Sequence, residues 1–210
     1  PSNIIFKTLG SNFIASFADS NGVETGDSIT IINGLYDNNK IESFEFQDGS
    51  VILFNEALAL RETTISGTPG DDNIIDSILS DTIHGMQGND KINSGLGNDT
   101  FLFNVGDGQD VITDTTGVDK ILFGPSISKD NIVFSSVGND VTISFRDEND
   151  FFRTDSILIK NQLVNTSKIE IFEFSDGSVI KSEEIISLLK NKIGSAGNDV
   201  ITGTLDNDYI

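Results

Sequence analysis

The sequence contains no cysteine, which excludes a disulfide framework, a zinc–thiolate site and thiol catalysis. Positive charge is scarce as well: 13 Lys and Arg stand against 33 Asp and Glu, a formal net charge of -20. Nucleic acid and anionic membrane both demand a basic face, so neither suits this chain as a partner. No apolar run approaches the roughly 18 residues of a membrane-spanning helix, and no secretory leader pattern follows Pro1. The chain begins without Met and stops at Ile210 inside a repeated pattern, so it is expected to be a piece of a longer protein. What remains is an acidic chain of 210 residues that is 37% hydrophobic and holds 15 Phe. That is too apolar for a disordered acidic tail and long enough for one or two domains with real cores. A folded, cation-binding chain fits this balance.

Internal repetition is pronounced. Residues 2–60 align without gaps to residues 130–188 at an offset of 128, with 27 identities in 59 positions. Asp27-Ser28-Ile29 matches Asp155-Ser156-Ile157, and Phe44-Glu45-Phe46 matches Phe172-Glu173-Phe174. Asp48-Gly49-Ser50-Val51-Ile52 matches Asp176-Gly177-Ser178-Val179-Ile180. The segment after each copy also returns, from Gly67 and again from Gly194. Four parts follow: a β-rich flank at 1–66, an array at 67–122, a second flank at 123–193, and the start of a second array at 194–210.

The flanks alternate as strands do. In 141–146, Val141, Ile143 and Phe145 share one face, and Phe13, Ala15 and Phe17 do the same in the first copy. Asp48-Gly49 and Asp176-Gly177 are hairpin dipeptides. A short helix is expected over 182–192, with Ser182 as N-cap, Glu183 and Glu184 in the first turn, and Ile185, Leu188 and Leu189 as its apolar stripe. Such flanks can serve as caps over the open ends of a solenoid or as a recognition surface.

From Gly67 the period is nine. The blocks span 67–75, 76–84, 85–93 and 94–102, then, after the insertion Phe103-Asn104, 105–113 and 114–122. Asp fills the sixth place of every block, as Asp72, Asp81, Asp90, Asp99, Asp110 and Asp119. A large apolar residue fills every eighth place: Ile74, Ile83, Ile92, Phe101, Ile112 and Ile121. Gly fills every fourth place except at Leu79. Six residues rich in Gly, Asn and Asp make a tight turn, and three make a strand whose eighth-place side chain points inward. Two blocks complete one coil, and stacked coils form an all-β arrangement of two parallel sheets around a narrow apolar core. Asp72, Asp90 and Asp110 then stack on one edge, and Asp81, Asp99 and Asp119 on the other.

Bare carboxylate columns would repel. A hard divalent cation between successive turns removes the repulsion, and an all-oxygen cage of Asp carboxylates and turn carbonyls suits Ca²⁺. Residues 67–122 hold ten Asp and no Glu, as expected where the carboxylate must reach an ion from the turn itself.

These blocks resemble the RTX (repeats-in-toxin) nonapeptide G-G-x-G-x-D-x-U-x, over 67–122 and 194–210. The flanks resemble the haemolysin-type calcium-binding-related domain through F-x-F-x-D-G-[ST] at 44–50 and 172–178. The resemblance implies an all-β, right-handed parallel β-roll with several Ca²⁺ ions between stacked turns, type I secretion of the unfolded chain, and folding outside the cell, for a secreted or bacterial cell-surface location. It implies bridging carboxylates from the six sixth-place aspartates, with carbonyls from Gly67, Gly70, Gly85, Gly88, Gly95, Gly97, Gly108 and Gly117. Three turns per edge leave two gaps each, so about four ions form the upper count. The weakest gap lies at Asp81, where Asp76 and Leu79 replace glycines. The insertion at Phe103-Asn104 is expected to bulge and disturb the gap between Asp90 and Asp110. Asp199 and Asp208 belong to the second array.

No catalytic constellation emerges, and the chain is not expected to be an enzyme. His84 is the only His and sits on a strand, so a structural role is expected of it. No G-x-S-x-G elbow or phosphate-binding Gly-rich loop occurs. Glu183-Glu184 reads as dipole capping rather than a glycosidase pair. Asp-Pro self-cleavage, known in some RTX relatives, is absent, because Pro69 follows Thr68 and Pro125 follows Gly124. Three roles fit: a structural calcium module of a toxin or adhesin, an adhesive module whose flanks bind glycan or protein at a host surface, or a support segment of an RTX protease or lipase. Adjacent repeat units are the expected partners within the chain. Phe151-Phe152 is the best candidate for an exposed aromatic surface.

Overall fold

Each nonapeptide contributes one short strand, because its turn half cannot extend and its strand half carries the inward apolar residue. A computed structural model describes residues 3–190 except 37, 40, 62 and 165–167; the expected second array at 194–210, with Asp199 and Asp208, lies outside the described residues. The first flank holds β1 (Ile4–Leu9), β2 (Asn12–Ala18), β3 (Glu24–Ile31), β4 (Ser43–Glu45), β5 (Val51–Leu53) and helix α1 (Phe54–Ala59). The array holds β6 (Thr64–Ser66), β7 (Asn73–Ile75), β8 (Thr82–His84), β9 (Lys91–Leu96), β10 (Thr100–Phe103), β11 (Gln109–Thr116) and β12 (Lys120–Phe123). After a 3₁₀ turn at Lys129–Asn131 come β13 (Ile132–Val137), β14 (Asp140–Arg146), β15 (Phe152–Ile159), β16 (Ile171–Glu173), β17 (Val179–Lys181) and helix α2 (Ser182–Lys190).

The expected β-roll forms. Strands alternate between two six-stranded sheets, ordered β17-β16-β12-β10-β8-β6 and β13-β14-β15-β11-β9-β7. Within the array every pairing is parallel, β8 with β10 and β10 with β12 on one side, β7 with β9 and β9 with β11 on the other. Register matches eighth place to eighth place: Ile83 with Phe101, Phe101 with Ile121, Ile74 with Ile92, and Ile92 with Ile112. All six of these side chains are buried. The parallel stack begins before Gly67, since Thr64–Ser66 pairs with β8.

The stack also continues past residue 122. In the second flank β15 runs parallel to β11, and β16 parallel to β12. Two flank strands thus cover the last coil, and a single apolar core runs from Ile74 to Leu189. Burying both edges this way removes unpaired strand edges that would otherwise recruit another chain. The first flank has its own core of Phe6, Phe13, Ala15 and Ala57. It touches the array where Gly10 bridges Ser77 and donates its N–H to Asp76 O (2.8 Å).

Local expectations meet mixed outcomes. Val141, Ile143 and Phe145 are all buried, and so are Phe13 and Ala15, but Phe17 is only half-buried. The Asp-Gly hairpins form, with Gly49 and Gly177 at φ 83° and 82°. Helix α2 starts on Ser182 itself, and the preceding amide, Lys181 N–H, is taken by Glu184 Oε1 (2.9 Å). Ile185 and Leu189 are buried, whereas Leu188 is 43% exposed, so the stripe is narrower than expected. The Phe103-Asn104 insertion leaves the β10–β12 register and the Asp90–Asp110 bond undisturbed, and the irregularity in the array falls later, where β11 shifts register against β9 between Thr113 and Thr116. Phe103 lengthens β10 by one residue, opposite Phe123, and buries its ring at 5.2 Å from Phe145, while the extra length is absorbed in the turn that follows.

Candidate metal centre

The sixth-place aspartates stand in two columns. On one edge Asp72 N–H donates to Asp90 Oδ1 (2.8 Å), and Asp90 N–H to Asp110 Oδ1 (3.0 Å). On the other, Asp81 N–H donates to Asp99 Oδ1 (2.9 Å), and Asp99 N–H to Asp119 Oδ1 (2.7 Å). Each carboxylate therefore spans one strand spacing of about 4.8 Å, a reach that suits the short Asp side chain. The second column ends on the flank, where Asp119 N–H donates to Glu170 Oε2 (2.8 Å). Near the end of the first column, Asp155 Oδ2 accepts Gly106 N–H (2.9 Å).

With Oδ1 committed to the ladder, Oδ2 is left over. The Oδ2 atoms of Asp90, Asp99 and Asp119 are buried with no hydrogen-bond partner, and so are those of Asp76 and Asp114. All five side chains belong to residues at most 4% exposed. A buried, uncompensated carboxylate costs several kcal/mol, so each must take up a proton or a cation. Burial pushes the carboxyl of Asp99 up to about 7, with Asp81 and Asp114 adding repulsion. Burial does the same to Asp110, up to about 7, with Asp90, Asp107 and Asp155 adding to it. Asp76, Asp90, Asp114 and Asp119 move upward for the same first reason.

Asp99, Asp114 and Asp119 bring one carboxylate oxygen each to within 4.8 Å of one another. Calcium–oxygen distances of about 2.3–2.6 Å let one ion span such a set, and oxygen-only donors select a hard cation. Asp114 stands at the first place of its block and falls outside the sixth-place reading. The signal was present: Asp76 and Asp114 occupy the same place in alternate blocks, with Ser94 between them on the same edge. Ser94 Oγ donates to Asp114 Oδ1 (3.0 Å).

Glycine makes the cradle. A Cβ on Gly117 would lie 1.8 Å from Gly97 O, and one on Gly108 1.9 Å from Gly88 O. Gly88 sits likewise over Gly70 O (2.6 Å), and Gly67 against Gly85 O (2.3 Å). Of the eight carbonyls expected as ligands, those of Gly70, Gly85, Gly88 and Gly97 thus line the contact between stacked turns. The Gly108 carbonyl instead accepts Ser156 N–H from the flank (2.9 Å). On the second edge the carbonyls of Ser77 and Leu79 stand against Gly95 and Gly97, at 2.8 and 2.6 Å from an added Cβ.

The first coil differs. Asp72 Oδ2 accepts the N–H and Oγ1 of Thr68 (2.6 and 2.9 Å). Asp81 is ion-paired to Arg61 through Oδ1 and accepts Ser77 Oγ at Oδ2 (2.6 Å). Arg61, which also donates to Ser80 O (3.1 Å), brings a fixed positive charge to the gap where Asp76 and Leu79 break the glycine pattern. His84 Nε2 lies 3.1 Å from Asp107 Oδ2 and 3.1 Å from Asn104 Nδ2, tying the inserted turn to the coil below.

Comparison with known proteins accords with this geometry. The haemolysin-type calcium binding protein related domain matches residues 23–55 and 140–184. The RTX calcium-binding nonapeptide repeat, in four copies, matches 66–101 and 193–210. No curated protein gives a significant match. Among solved structures, the extracellular lipase LipA from Serratia marcescens is 14% identical over 75% of this chain and 28% of its own, with a TM-score of 0.29. The AlgE6R3 subunit of the Azotobacter vinelandii mannuronan C5-epimerase is 16% identical over 69% of this chain and 97% of its own, with a TM-score of 0.24. The chain spans little more than a quarter of the lipase. The chain thus carries RTX calcium-binding nonapeptide repeats over residues 66–101 and 193–210, beside segments that match the haemolysin-type calcium binding protein related domain.

Proposed function

We propose that the chain is a non-catalytic, calcium-folded structural module of a large secreted or surface-bound toxin or adhesin. The observation that carries this reading is the set of buried, partnerless Oδ2 atoms on Asp90, Asp99, Asp114 and Asp119. Calcium supplies the missing charge. The proposed ligands on one edge are Asp72, Asp90 and Asp110, with the carbonyls of Gly67, Gly70, Gly85 and Gly88. On the other edge they are Asp99 and Asp119 with Asp114, and the carbonyls of Gly95, Gly97 and Gly117. At the Asp81–Asp99 gap Arg61 takes the place of an ion, which leaves three ions rather than four in this array.

The energetics suit a secreted module. Extracellular calcium sites bind at about 10⁻⁴–10⁻³ M, so the array stays unfolded where calcium is scarce, as type I export of an unfolded chain requires. In roughly millimolar calcium such a site adds about 0.4–1.4 kcal/mol, and three together reach about 1–4 kcal/mol, a sizeable part of the ~5–15 kcal/mol of a whole domain. Calorimetric calcium titration of the chelator-stripped chain tests the assignment. Asp99→Ala should remove one binding event, and Asp81→Ala should remove none. Loss of an ion with Asp81→Ala, or none with Asp99→Ala, overturns it.

A second reading, adhesion through the flanks, is favoured by Phe151 and Phe152, which are 71% and 59% exposed. The Arg146 guanidinium lies 4.6 Å from the Phe152 ring centroid, an arrangement seen at glycan- and peptide-binding surfaces and equally in simple packing. Binding to host cells that survives Phe151→Ser with Phe152→Ser discards this reading.

A further inference from the structure

The two flanks fold alike, hydrogen bond for hydrogen bond. Asn33 N–H donates to Asn12 Oδ1 (2.9 Å) as Asn161 N–H does to Asp140 Oδ1 (2.8 Å). Phe54 N–H donates to Glu42 O as Ser182 N–H does to Glu170 O, both at 2.9 Å. Leu53 N–H reaches Glu56 as Lys181 N–H reaches Glu184, again both at 2.9 Å. Gly10 and Gly138 share φ near 60°, and Asn33 and Asn161 share φ near 55°.

Their outer edges differ. In the second flank β15 and β16 lie against the last coil of the array, with Ser156 N–H donating to Gly108 O and Lys160 N–H to Ile112 O, both 2.9 Å. In the first flank the equivalent strands, β3 and β4, are the outer strands of a three-stranded and a two-stranded sheet. Seven of the eight residues of β3 are exposed. Ile157 and Ile169 are fully buried, while their counterparts Ile29 and Ile41 are 51% and 37% exposed. Phe172 is fully buried, while its counterpart Phe44 is half-buried. The groups that accept turn amides from the last coil, Asp155 from Gly106 and Glu170 from Asp119, are repeated as Asp27 and Glu42, both exposed.

We propose that β3 and β4 form a docking face for the last coil of another nonapeptide array, linked ahead of this flank. The incoming coil adds one parallel strand to β3 and one to β4, as β11 and β12 do to β15 and β16. Ser28 and Ile32 then donate N–H groups to it, Asp27 and Glu42 accept its turn amides, and Ile29 and Ile41 enter its core. This is strand addition to an exposed edge, and it suits solenoids, whose end repeats need covering. The inference rests on the calcium-folded array proposed above.

The test is an extended chain in which residues 63–129 are repeated immediately before Ser2, compared with the original chain in millimolar calcium. Hydrogen exchange at Ser28 and Ile32 should slow at least a hundredfold, to the level of Ser156 and Lys160. Asp27→Ala with Glu42→Ala should reverse most of that slowing. If the added array shows its own calcium-induced ellipticity and the two amides exchange as before, the docking face is wrong and the calcium module stands. If neither chain gains structure with calcium, both fall together. Edge-to-edge dimers of the original chain, with β3 protected without any added array, would also overturn it.

Discussion

Asp114 shows how a single residue alters what a nonapeptide turn can hold. The first place is Gly in two of the six blocks and Ser in a third, whereas in the last block it puts a third carboxylate beside Asp99 and Asp119. Asp114→Asn keeps the shape and the bond from Ser94 while removing the charge. It should weaken calcium at that gap by about tenfold, or about 1.4 kcal/mol, read by calorimetry; unchanged binding would remove Asp114 from the site. Gly108→Ala acts by steric contact instead. Its Cβ would fall 1.9 Å from Gly88 O at φ 108°, and overpacking of this kind costs about 1–3 kcal/mol, to be seen in urea unfolding with calcium bound. The sixth-place aspartates were legible in the sequence because they recur with period nine. Arg61, Asp155 and Glu170 were not, because they arrive from outside the period, 20 to 51 residues from the groups they meet.

At the scale of the strand ladders, pH should mimic calcium. Asp99 and Asp110 are held up to about 7 in the folded array, against about 3.9 in an unfolded chain. A carboxyl raised by folding binds more protons folded than unfolded between those two values. Its contribution to stability is therefore full below about pH 4 and is lost as the pH rises through about 7. In chelator, β-sheet ellipticity should thus be greater at pH 5.5 than at pH 8, and calcium should restore it at pH 8. Apo stability that grows with pH over this window would contradict the assignment. The parallel pairing inside the array followed from the spacing of the eighth-place residues. The parallel docking of β15 and β16 did not, since an alternating apolar pattern marks a half-buried strand without naming the neighbour at its edge.

Across the whole molecule, array and second flank share one core, with Phe145 packed at 5.2 Å from Phe103 and 5.9 Å from Phe123. Phe145→Ala should cost about 3–5 kcal/mol and also raise the calcium concentration needed to fold the array; an unchanged calcium midpoint would mean the two parts fold independently. The second flank covers the last coil, and Phe103, brought inward by the insertion, is one of the residues that join the two parts in one core. On the proposed function, calcium holds this fold together by compensating two buried columns of aspartate. Circular dichroism during a calcium titration at neutral pH, beginning in excess chelator, measures it directly. The account requires weak β signal in chelator, a cooperative rise on adding calcium, and a smaller rise in Asp90→Ala and Asp99→Ala. Full β signal in chelator, unchanged by calcium, would contradict it.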